Sequence, residues 1–122
     1  MFEVSVVAHF SAAHRLAEDA GKCARLHGHN WEVEVFVRGE ELNEAGMLID
    51  FRELRRRVRE EIEDLDHSDL NELAPFRDAH PTSENLARLL YGRLARKLNG
   101  VRCRVHRVAV RETPGTRAGY WE

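Results

Sequence analysis

Cysteine is scarce in this sequence: Cys23 and Cys103 are the only two in 122 residues. A disulfide framework is thereby excluded, and a reducing, cytoplasmic compartment is the expectation. Long apolar runs are missing as well. Stretches such as Val6-Val7-Ala8 fall far short of the roughly 20 apolar residues that a membrane-spanning helix needs. The opening "MFEVSVV" has neither the basic nor the long apolar region of a secretory signal, so none is expected. Neither sign of charge dominates. With 19 Lys and Arg against 21 Asp and Glu, the net charge is −2, and no nucleic-acid or membrane partner is predicted. No glycine-rich dinucleotide loop, internal repeat or low-complexity segment occurs. What is present is a globular composition, 43% hydrophobic and 33% charged. A chain of this length can form one domain, 1–122, and bury a core without metal or disulfide staples.

Residues 2–14 alternate, with Phe2, Val4, Val6, Ala8, Phe10, Ala12 and His14 on one face, which predicts a half-buried strand. Residues 15–26 are polar and read as a loop. His27, His29, Trp31, Val33, Val35 and Val37 share a face of a second strand, antiparallel to the first. Asp50 is a helix cap, with Glu53 in capping-box position, and Phe51, Leu54, Val58, Ile62 and Leu65 form an apolar stripe. The run "RRRVREEIED" lies largely opposite that stripe and reads as a solvated face. A long connection follows. Thr82 or Ser83 then caps a second helix with Leu86, Leu89, Leu90, Leu94 and Leu98 inward, ending at Asn99-Gly100. Residues 101–112 form a third strand whose alternation slips near Val105, and "YWE" starts a short last one. The order β-β-α-α-β-β predicts an α+β fold: a four-stranded antiparallel sheet with two helices on one face. Its outer strands have open edges, which a homo-oligomer built by sheet extension would cover.

His27 and His29, two apart on a strand, project from one face. His14 ends the other strand in the apolar frame, so a hairpin brings three imidazoles together. A lone histidine on an apolar face reads as a core residue satisfied by a carbonyl. Three at adjacent strand ends point to metal, and three neutral imidazoles suit zinc with a fourth position open. His9 lies on the opposite face, and His80 and His106 read as surface residues. Cys23, four residues before His27, admits three readings: a fourth ligand closing a structural site, a poised acid, base or nucleophile near the metal, or an inert loop thiol. Lys22, Arg25 and a nearby metal would favour its thiolate. Cys103 reads as core. Asp66 can orient and activate His67. Glu112 ends the apolar face of the third strand, where an unused carboxylate is costly; it can accept a pair of N–H groups from a ligand.

Together the segments "FSAAHRL", "CARLHGHNW", "GMLIDFREL", "LDHSDLN", "PTSENLA" and "VRET" resemble the 6-pyruvoyl-tetrahydropterin synthase superfamily over nearly the whole chain. The short spacing from Cys23 to His-Gly-His resembles the 6-carboxy-tetrahydropterin synthase branch of the queuosine pathway. A branch with glutamate in place of the cysteine is disfavoured. The resemblance implies the T-fold (tunnelling fold), with three subunits joining their sheets into a barrel and two trimers forming a hexamer. It implies Zn2+ on His14, His27 and His29, Cys23 as an acid/base outside the ligand set, and Asp66 with His67 as a proton relay from a neighbouring subunit. Glu112 would anchor a pterin, with Thr82, Ser83 and Glu84 near its pocket. The implied substrate is 7,8-dihydroneopterin triphosphate, and the products are 6-carboxy-5,6,7,8-tetrahydropterin, acetaldehyde and triphosphate. Two alternatives stand beside this reading: a 6-pyruvoyl-tetrahydropterin synthase, which does not cleave the carbon–carbon bond, and a non-catalytic zinc protein with a closed site of one cysteine and three histidines.

Overall fold

Two long alternating segments build the frame. In the computed structural model, which describes residues 1–122 apart from the side chain of Asp19, strand β1 spans Phe2–His14 and β2 spans His27–Gly39. They pair antiparallel without a break from Phe2 opposite Gly39 to His14 opposite His27. Side chains two apart share a face, so one face carries Val6, Ala8 and Phe10 against Val35, Val33 and Trp31. All six are buried. The same face continues through Ala12 and His29 to His14 and His27. The histidines are therefore the apolar face carried to its end.

Helix α1, Phe51–Ile62, covers this face with Leu54, Val58 and Ile62. Phe51, expected in the same stripe, is exposed. The Asp50 side chain accepts from the Arg52 backbone N–H. No capping box forms, because Glu53 instead binds Arg56 and Arg57 on its own helix. Helix α2, Ser83–Leu98, is capped by Thr82 and buries Leu86, Ala87, Leu90, Tyr91 and Leu94. Asn99 ends it in extended conformation, and Gly100 is not left-handed, so the expected glycine cap is replaced.

The sheet has five strands, not four, in the order β3-β1-β2-β4-β5. Strand β3 is only Ser68–Asp69 and runs parallel to β1 at Ala12 and Ala13. Two residues carry no alternation to read; the pairing follows from the anchoring of Asp66 and His67 on Ser11, described below. Strand β4, Arg104–Arg111, starts three residues later than predicted, because Gly100 and Asn99 tie down residues 100–105 in a turn. The slip near Val105 is a bulge: Phe36 pairs with Arg107 and Val37 with Val105, leaving His106 over. Strand β5 is Ala118–Tyr120, so the last strand precedes Trp121-Glu122 instead of including them. Cys103 is half-buried against the core.

Gly39 closes β2 where the carbonyl of Arg102 crosses it. A Cβ there would collide with that oxygen and with Leu48, so the close approach requires glycine.

A candidate metal centre and its adjoining cleft

The paired strand ends place His14, His27 and His29 so that one ligand nitrogen from each lies within 4.8 Å of the others. Their ring planes are steeply inclined to one another, at 65°, 79° and 86°. His14 is wholly buried. Its Nδ1–H donates to the Pro81 carbonyl at 2.8 Å, and the His27 Nδ1–H donates to the Arg25 carbonyl at 2.7 Å. Each bond fixes the tautomer that leaves a lone pair on Nε2. The Nε2 atoms of His14 and His29 are buried and have no hydrogen-bond partner.

That observation separates the two readings of the histidines. Core residues satisfied by carbonyls would account for Nδ1 but would leave two buried nitrogens unpaired, each at a cost of about 1–3 kcal/mol. A divalent ion satisfies them. The donor set fits one: three imidazoles, at least two with tautomers already fixed. Burial pushes the His29 imidazole below its ordinary pKa, and its histidine neighbours push the same way against the pull of Glu112. The ring is thereby kept in the neutral form a metal requires. Trp31 backs the cluster. Its ring meets His14 and His29 edge-on at 4.9 and 5.3 Å, and its Nε1–H donates to the Ala12 carbonyl.

Glu112 follows β4 directly. Because Arg111 pairs with Glu32, the next step of the register sets Glu112 beside Trp31, on the histidine face. Its two oxygens lie 3.6 Å from His14 Nε2 and 3.7 Å from His29 Nε2. It also lines a cleft of about 500 Å³ with Thr82, Ser83, Glu84, Leu16 and Arg117. Glu112 is therefore the residue common to the histidine cluster and the cleft. Pro81, whose carbonyl holds His14, immediately precedes Thr82. Thr82 itself caps α2 through its Oγ1.

Cys23 is exposed and stands outside the cluster of ligand atoms. It sits in the 3-10 segment Glu18–Ala24, which bends at Gly21 in the left-handed region. The backbone N–H of Leu16 donates to the Cys23 carbonyl at 2.8 Å, which ties this loop to the rim of the cleft.

Asp66 and His67 form a unit anchored on β1. The Asp66 carboxylate accepts from the Ser11 backbone N–H at 2.9 Å and meets His67 Nδ1 at 3.0 Å. The His67 N–H donates back to the Ser11 carbonyl. The Ser11 bond, then His67, holds the Asp66 carboxyl below its usual range. His67 has φ of 57°, a left-handed conformation uncommon for a residue with a Cβ. Its exposed ring lines a shallow hollow with Ser11, Gly28, His29 and Asn30. His9 lies on the opposite face beside Glu32, and His80 is exposed. The Pro81 and Arg25 carbonyls escaped sequence reasoning because any residue supplies a carbonyl. Trp31 was on the correct face by parity, but nothing in the pattern gave it a supporting part.

Residues 3–122 match the sequence profile of the family described as 6-pyruvoyl tetrahydropterin synthase. The chain is 36% identical to the 6-carboxy-5,6,7,8-tetrahydropterin synthase of Bacillus subtilis, over 93% of this chain and 80% of that protein. It is also 36% identical to the protein of the same name from Synechocystis, over 92% and 87%. The solved structure of Caenorhabditis elegans 6-pyruvoyl tetrahydropterin synthase superposes with a TM-score of 0.87 at 29% identity, covering 99% of this chain and 95% of that one. Sheet, helices and histidine cluster thus sit in a chain that belongs to the 6-pyruvoyl tetrahydropterin synthase family.

Proposed function

We propose that this protein is a zinc-dependent lyase that converts 7,8-dihydroneopterin triphosphate and one water to 6-carboxy-5,6,7,8-tetrahydropterin, releasing acetaldehyde and triphosphate. The observation that carries the reading is the pair of buried, unpartnered Nε2 atoms beside a cleft that shares Glu112 with them. Two relatives bearing the carboxy-synthase name, similar over most of the chain, favour that branch.

In this reading His14, His27 and His29 hold Zn2+, which when bound acts as a Lewis acid toward the substrate's side-chain hydroxyls. Glu112 accepts the paired N–H groups of the pterin ring and orients the side chain toward the histidines, and Thr82, Ser83 and Glu84 line its pocket. Cys23, on the segment tied to the rim at Leu16, exchanges a proton with the side chain from one direction. His67, with its tautomer set by Asp66, does so from a neighbouring subunit. The redox change is internal to the substrate, so no nicotinamide is required. Strand β3 covers β1 only at Ala12 and Ala13. The remaining outer edge of β1 is what a second copy pairs with in a hexamer built as a dimer of trimers. The product feeds 7-deazaguanine (queuosine-type) synthesis in the cytoplasm.

A second reading is supported by the solved Caenorhabditis elegans structure: elimination of triphosphate without carbon–carbon cleavage, as in a 6-pyruvoyl-tetrahydropterin synthase. The discriminating experiment incubates purified protein with 7,8-dihydroneopterin triphosphate and measures acetaldehyde. One acetaldehyde per pterin consumed is expected. Substrate consumption without acetaldehyde overturns the carboxy assignment in favour of the second reading.

A further inference from the structure

We infer that Glu112 is a switching carboxylate: in ligand-free protein it closes the fourth position of the metal, and a pterin in the cleft draws it off. The inference rests on the three-histidine metal reading above and deepens it.

The geometry is the starting point. Each Glu112 oxygen faces one of the two unpartnered nitrogens, at 3.6 Å from His14 Nε2 and 3.7 Å from His29 Nε2. Those separations are too long for hydrogen bonds. They are close to the spacing of two ligands on one tetrahedral ion: with bonds of about 2.0–2.2 Å, neighbouring ligand atoms stand about 3.4 Å apart. The carboxylate therefore stands within side-chain reach of an ion held by the histidines.

Charge favours ligation of that ion. Three neutral imidazoles leave a divalent ion's charge uncompensated, and Glu112 is the carboxylate placed against two of them. The backbone permits it, since β4 ends at Arg111 and the turn Thr113–Thr116 begins just beyond.

The same carboxylate lines the cleft with Thr82, Ser83 and Glu84. A carboxylate oriented to accept two parallel N–H groups from a guanidine-like ring edge is withdrawn from the ion. Metal and pterin ring thus compete for one side chain, and the fourth position opens when a ligand is present to use it. Linkage makes the competition reciprocal: pterin weakens metal binding by the factor by which metal weakens pterin binding.

The test uses Co2+ in the metal-stripped full chain, read by its visible absorption, with unsubstituted pterin as a ligand that lacks the reacting side chain. In wild type, pterin is expected to change the cobalt spectrum and weaken cobalt binding. Glu112→Gln is expected to bind cobalt at least about tenfold more weakly without pterin, in the range by which metal-site partners act. Its spectrum should not respond to pterin. Equal cobalt affinity and spectra in wild type and Glu112→Gln overturn the inference while leaving the three-histidine site standing. Glu112→Asp keeps the charge but shortens the reach. Wild-type behaviour in that variant assigns the effect to charge alone and also overturns ligation. Wild type that takes up no cobalt overturns the metal reading and this inference with it.

Discussion

The β1–β2 pair has two ends, and they differ in chemistry more than in shape. At the Phe2–Gly39 end lies a cavity of about 840 Å³, larger than the cleft of about 500 Å³ beside the histidines. The charges lining the larger space are exposed to solvent, which meets their bonding needs, and two of them are paired, Arg38 with Glu3 and Glu40 with the N-terminus. Its closest approach, Gly39 against the Arg102 carbonyl, serves packing. At the other end, His14 is wholly buried with Nδ1 satisfied and Nε2 not. The lesson is that unmet bonding capacity in a buried group marks a site better than volume does. One end completes the core, and the other interrupts it with groups that need a guest.

The sharpest break in this comparison is His14→Ala. Metal content is expected to fall to background and turnover to vanish, both measured on purified protein. Retention of metal and activity would return the histidine end to the status of ordinary core. Next comes Gly39→Ala at the other end. The new Cβ meets backbone, so a loss of about 1–3 kcal/mol is expected in denaturant unfolding, with metal stoichiometry unchanged. Leu54→Ala, fully buried on α1 between the ends, is expected to cost about 2–5 kcal/mol without changing which ligands hold the metal. A variant at either packing position that selectively released metal would blur the distinction between the ends. The smallest effect is a pH dependence of the metal-free chain. The His29 pKa is lowered on folding, so the folded state binds fewer protons than the unfolded state below about 6.5. The stability contributed by neutral His29 is full above that pH and lost as pH falls through the lowered folded value. Unfolding midpoints measured across that window should decline with acid, and less steeply in His29→Gln. Equal slopes would contradict this account of His29.

Much of this was legible because strands have a period of two. Parity alone put His14, His27 and His29 on the face that Val6, Val33 and Trp31 define, and the structure closes that face at one hairpin end. The slip at Val105 was visible in the pattern and is a bulge. The parts that escaped depend on groups with no sequence signature. Strand β3 exists because Asp66 and His67 grip the backbone of Ser11, across 55 residues of chain. The tautomer of His14 is set by a carbonyl at Pro81, 67 residues away. Glu53 left its expected capping position because two arginines on its own helix offered a stronger, charged partner. Phe51 shows that a helical stripe is narrower at its first turn than the periodicity suggests. Thr82, Ser83 and Glu84 are consecutive, whereas Glu112 lies a helix and a strand further on; the family resemblance set them near one pocket, and the fold lines one cleft with all four.

In the proposed reading three histidines hold metal and Cys23 stands apart from them. The most direct test of that reading is the metal content of purified Cys23→Ala beside wild type, with turnover measured on the same samples. Equal zinc per chain is expected, with a fall in turnover of about 10²–10⁴-fold, the contribution of a positioned proton-transfer group. Zinc lost together with the cysteine would contradict the reading and make Cys23 a ligand of a closed site.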